Sequence, residues 1–279
     1  MKNILKIMLM MITIFTIAGS AVYAAEIPVS DQDQLITSRD WTKISNLQDE
    51  MKKEEPDATI DYDKALKVYV DCNLIKLQTA DTKKLTSALE SANYVWVIPF
   101  KMEKTYGMFT VAKGLPLSEE AKSVLTKAEQ EEVKNHAGKW MITETAEHTV
   151  EPYYDILLEK REALSDCTRV VLVGSQPGMR QPVALGMDDE TARIWISLGY
   201  QYPVMEKIPE TQNVESGVYS FDSVAEISDT YIEDSEVSTG AGVQSRSSMK
   251  YVAGIGIIVI GSILILSVLK KKKIRIKFF

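Results

Sequence analysis

Between Leu35 and Pro56 the apolar residues Trp41, Ile44, Leu47 and Met51 recur at spacings of three and four, which predicts a helix of about three turns that stops before the proline. The next stretch, ALKVYVDCNLI, alternates Leu66, Val68 and Val70 with Lys67, Tyr69 and Asp71, the period of a strand with one face buried. Thr79 or Asp81 can then cap a short helix that carries Leu85, Ala88 and Leu89 on one face. Two apolar runs, 94–100 and 108–112, read as a β-hairpin with Pro99 at an edge or a strand end.

Ser118 ahead of Glu119 and Glu120 starts a helix predicted to reach about Lys134, and Gly138 ends it. KWMITETAE alternates as a strand, and Pro152 opens a helix bearing Tyr154, Leu157, Leu158 and Leu164. RVVLV, PVALGM and ARIWISL follow as strands, the last two joined by Asp188, Asp189 and Glu190. Hairpins outnumber crossover units, so the expected class is α+β, a mostly antiparallel sheet with packed helices. Helix followed by hairpin occurs twice, around residues 85–112 and 154–187, a faint αββ pseudo-repeat.

The two ends are of another kind. Lys2 and Lys6 precede an apolar run and the small residues around Ala24, so residues 1–25 read as a secretory signal peptide cleaved after Ala24 or Ala25, with an uncleaved anchor as the alternative. Near the other end, residues 251–269 carry no charge and are closed by Lys270, Lys271, Lys272 and Lys273. Nineteen residues at about 1.5 Å each span about 28 Å, so 250–270 is expected to be a transmembrane helix. The lysines keep the 271–279 tail cytoplasmic and put residues 26–202, the expected α+β domain, outside. Residues 203–249 turn acidic, then small and polar, and read as a flexible stalk, although the spacing of Phe221, Val224, Ile227 and Tyr231 suits a short docked helix. In outline this tail resembles that of Gram-positive surface proteins cross-linked to the wall. The sorting motif LPxTG is reduced to Thr239 and Gly240 in the stretch Glu236 to Gly240, so the span is read as a permanent anchor.

Charge narrows the partners. Of the 32 basic residues, two precede residue 26 and seven lie from Lys250 onward, leaving 23 against all 39 acidic residues, a formal charge of −16 for 26–249. That balance argues against nucleic acid or anionic lipid and leaves a protein or cell-envelope partner, with the membrane engaged through 251–269. Asp57, Asp61 and Asp63 lack the glycine and glutamate register of an EF-hand, and His136 and His148 have no cysteine motif beside them, so neither a metal nor a cofactor is expected. Outside the cell the two cysteines, Cys72 and Cys167, are expected to form a disulfide closing a loop of about 95 residues and worth about 3–5 kcal/mol. The alternatives are two buried thiols or one nucleophile.

One loop invites a catalytic reading, VGSQPGMRQP. Its order Gly174, Ser175, Gln176, Pro177, Gly178 is the wrong register for a nucleophile elbow, and no Gly-Lys-Ser/Thr follows to hold phosphate. Pro177-Gly178 suits a type II turn, so the loop is read as a bend between strands, with Ser175, Gln176 and Arg180 as the candidate ligand-gripping rim. Trp96, Trp140 and Trp195 are read as core. The expected function is a membrane-anchored extracytoplasmic binding or accessory module, with a wall-modifying hydrolase using unidentified carboxylates and a small subunit of a membrane complex as alternatives.

Overall fold

A computed structural model describes residues 27–148, 152–174, 176, 182–198, 208 and 213–227. It has a mixed helix and sheet fold built on one large, mostly antiparallel sheet. The expected first helix is present in three pieces, α1 (Trp41–Ile44), a 3-10 turn (Ser45–Leu47) and α2 (Gln48–Glu54). β1 (Thr59–Ile60) and β2 (Leu66–Val70) follow, then α3 (Thr82–Ser91), whose Asp81 cap accepts from the Lys84 amide at 3.0 Å. β3 (Asn93–Lys101) and β4 (Tyr106–Lys113) form the predicted hairpin. Gly107 lies under the buried Phe100 ring, where a Cβ would come within 2.1 Å of it, so any larger residue would have to displace that ring.

The single helix expected over 118–134 is two, α4 (Glu119–Val124) and α5 (Lys127–His136). Thr126 and Glu129 form a capping box that satisfies a second helix start, and this local option wins over continuation. β5 (Trp140–His148), α6 (Tyr153–Glu159), β6 (Arg169–Val173), β7 (Val183–Met187) and β8 (Ala192–Ser197) come next. Asp188 turns the chain between β7 and β8 by accepting from the Glu190 and Thr191 amides, and those bonds, joined by Arg193, hold its carboxyl below the usual range.

The expected end of the domain at residue 202 is too early. β9 (Asn213–Glu215) and β10 (Val218–Ser220) continue the sheet, with β10 antiparallel to β8, and residues 221–227 are helical. Phe221 and Val224 are buried and Ile227 packs beside them, so this part of the expected stalk belongs to the core. The remainder of the expected stalk, with Tyr231, the signal peptide, the span 251–269 and the tail lie outside the described residues. Among the described residues no helix is long and apolar enough to cross a membrane.

Strand order is β5-β4-β3-β2-β6-β7-β8-β10-β9, with β1 added on β3. The pairing resolves into two antiparallel halves, β5 to β2 and β6 to β9, that meet back to back at one parallel contact, β2 beside β6. The two helix-hairpin units therefore occupy unlike places, because β3 is the second strand of its half and β6 the first of its own. Both faces are covered. On one, α1 and α2 cover Trp96, Ile98 and Phe109, while α3 and the 221–227 helix cover Val171, Leu185 and Trp195. On the other, α6 covers Val68, Leu172 and Ile196. That is why β2, expected to bury one face, buries both.

Candidate functional site

The two halves of the sheet share very little direct pairing. β2 and β6 are in register only at Val68 with Leu172 and Tyr69 with Val173, and the Gly174 amide adds one bond to the Tyr69 carbonyl at 2.8 Å. Before and after this short ladder, other residues hold the halves together. The sequence-predicted candidates stand at one end of it, and a buried charged cluster stands at the other.

At the C-terminal end, Gln176 is the one described member of the candidate rim; Ser175 and Arg180 lie outside the described residues. Gln176 is buried, its Oε1 accepts from the Leu74 amide at 3.1 Å, and its Nε2 donates to the Cys72 and Gly174 carbonyls at 2.6 and 3.0 Å. Its amide is thus consumed in latching β6 to the turn after β2, which corrects its reading as a ligand contact. The strands on either side, β6 and β7, are antiparallel with Val173 opposite Val183, and the Pro177-Gly178 turn expected between them lies outside the described residues. Gln176→Glu should cost about 1–3 kcal/mol, because a carboxylate cannot donate to two carbonyls, and a melting-temperature comparison with wild type will read it.

The expected disulfide is not formed; Cys72 and Cys167 are both free. Cys72 follows the end of β2 and is level with residue 176, whereas Cys167 precedes β6, nine residues earlier. The strand β6 between their levels alone spans about 13 Å at about 3.3 Å per residue, already beyond the roughly 7 Å limit between bridged Cα atoms. They also pack on opposite faces of the sheet. Burial, aided by Asp71, pushes the Cys72 thiol up to about 11, and burial with Asp188 and Asp166 does the same for Cys167. Neither is an activated nucleophile. Alkylation of the unfolded chain should add two groups without reduction, and the folded chain should react far more slowly near pH 7, as mass spectrometry will show.

At the N-terminal end, β2 and β6 splay and residues 27–35 run between them. Val29 bridges Val170 in parallel and Gln34 bridges Leu66 antiparallel. The Val170 amide donates to the Pro28 carbonyl at 2.7 Å, the Lys67 amide to Asp33 at 3.0 Å and the Leu35 amide to Ala65 at 3.2 Å. This strap begins on one face with Ile27 and ends on the other with Leu35, and both are buried.

Asp33, 2% exposed, sits where the strap crosses. Its Oδ1 accepts from the Tyr69 hydroxyl at 2.8 Å and lies 3.2 Å from Lys67 Nζ; its Oδ2 accepts from Ser30 at 2.6 Å and from Arg169 Nη2 at 3.0 Å. Lys67 comes from β2 and Arg169 from β6, so one carboxylate clasps both splayed strands. Burial alone would raise the Asp33 carboxyl, but the bonds from Ser30 and Tyr69 and the charges of Lys67 and Arg169 outweigh it and hold it below the ordinary range. Lys67 Nζ also donates to the Gln32 carbonyl and is ringed by Tyr69, Tyr94 and Trp96, 4.9–5.6 Å from their centroids. A second buried acid, Asp40, accepts from the Tyr94 hydroxyl at 2.8 Å and Trp96 Nε1 at 3.2 Å. Arg39 bonds Tyr94 beside Asp40, so the seam gathers three cations and two acids from the strap and its linker, β2 and β6. Among the described residues Arg169 Nε is its one buried polar atom without a partner.

Sequence reasoning did not reach this cluster. The available signal was a lone cation on an otherwise apolar face in each of two strands, Lys67 beside Tyr69 and Arg169 beside Val171. Trp96 and Trp195 are core as expected, and Trp140 packs partly buried on the edge strand. Among the described residues no group of three His, Cys, Asp or Glu side chains is placed to hold a metal ion. Comparison of the chain with protein-family models, with curated proteins and with solved structures gave no match.

Proposed function

We propose that the chain is a membrane-anchored extracytoplasmic module that acts by binding, as an accessory or scaffolding component at the cell surface. The leader-like residues 1–25 and the lysine-closed apolar run 251–269 support the location, and every described residue lies between them. Residues 228–249, acidic and then small and polar in sequence, join the described domain to that run.

One observation carries binding over catalysis. The most elaborate polar cluster of the domain spends both oxygens of Asp33 on internal partners, so it is a joint in the fold. The membrane-complex reading loses its motif, since Phe221 and Val224 are spent inside the domain.

Protease added to cells stripped of their wall should remove the domain and leave a C-terminal fragment that resists alkaline extraction from the membrane. Survival of the domain until the cells are lysed would overturn the location. Release of soluble fragments from cell-wall material by the purified chain would favour the hydrolase instead.

A further inference from the structure

Residues 27–35 meet the rest of the molecule as a bound peptide would. Their contacts are backbone bridges to β2 and β6, the buried side chains of Ile27 and Leu35, and one carboxylate set between Lys67 and Arg169, and the slot that receives them is made wholly by other parts of the chain. The strap precedes every other described element, so it can leave the slot without threading. It joins α1 through residues 36–40, of which Ile36, Thr37 and Arg39 are exposed. We propose that this strap is exchangeable, and that the slot between β2 and β6 of one copy takes residues 27–35 of a second copy, giving a reciprocally strapped dimer.

Complementarity is already provided, because donor and acceptor surfaces are those of the native contact. Only residues 36–39 must change their path, because Asp40 stays bonded to Tyr94 and Trp96. Those four residues span at most about 14 Å when extended, which sets how far apart the two domains can sit. Asp33 supplies selectivity, since a strap without its charge would leave two cations unmatched in the slot.

The test uses full-length chains in which both native cysteines are alanine. One chain carries Val29→Cys and a distinguishing tag, a second carries Val170→Cys, and the two are co-expressed and oxidised. A single chain with both substitutions should close an internal disulfide. The mixture should give a reducible heterodimer, and adding Asp33→Asn to the donor chain should lower its yield at least tenfold. A partner with the cysteine at exposed position 104 in place of 170 should give none. Monomers alone in the mixture while the internal bond closes would show that the strap stays in its own domain and overturn the proposal. So would failure of the internal bond, equal yield with Asp33→Asn, or equal bonding at position 104.

Discussion

Asp33→Asn should lower the stability of the domain by about 3–5 kcal/mol, seen as a fall in the urea midpoint with little change in slope. Asparagine fits the same space, but it leaves Lys67 and Arg169 buried without their counter-charge. The aromatic rings around Lys67 Nζ attract the cation and do not neutralise it. The same carboxyl fixes the acid response. Its folded value lies below the ordinary 3.8, so its contribution is complete above that pH and disappears as the pH falls through the lowered folded value. Wild type should therefore lose stability more steeply than Asp33→Asn below about pH 4, and equal slopes for the two proteins would contradict the clasp.

Trp96→Ala should cost a similar amount, about 3–5 kcal/mol, from lost burial and the cavity it leaves. The indole is fully buried under α1 and α2, meets Tyr94 edge-on at 6.3 Å and donates to Asp40. Trp96→Phe separates the contributions. It keeps most of the ring and removes only the indole bond, leaving Asp40 its bond from Tyr94, so the loss should shrink to about 1–3 kcal/mol. Thermal unfolding followed by near-ultraviolet circular dichroism will rank the three proteins.

What could be read from the sequence was what local pattern encodes. The spacing of Ile44 and Met51, the Asp81 cap, the hairpin around 94–112 and the three strands from Arg169 to Leu198 all follow from period and turn chemistry, and all are present. Most of the misreadings come from contacts made far along the chain; the split of the 118–134 helix is local, set by the Thr126–Glu129 capping box. Both faces of β2 are buried because α6, more than 80 residues further along the chain, covers the second one. Residues 213–227 look like a polar stalk until β10 finds β8. Cys72 and Cys167 suggested a bridge by number alone, and only the register of β2 with β6 shows them at opposite ends. Asp33 was invisible because its neighbours DQDQ are polar and its partners lie 34, 36 and 136 residues away. Of the candidate rim, Gln176 was read as a ligand contact, and its amide bonds instead to Leu74, Cys72 and Gly174 within the fold.

The back-to-back junction at β2 and β6 has a consequence during biosynthesis. Val68 leaves the ribosome 104 residues before Leu172, its partner across the junction. At about 5–20 residues per second that interval is about 5–20 s, in which the first half can complete its own meander but its innermost strand still offers a bare, apolar margin. The nascent chain is most exposed to misassembly in that window. A pause or holding chaperone acting before residue 172 should therefore raise the yield of correctly folded product more than one acting later.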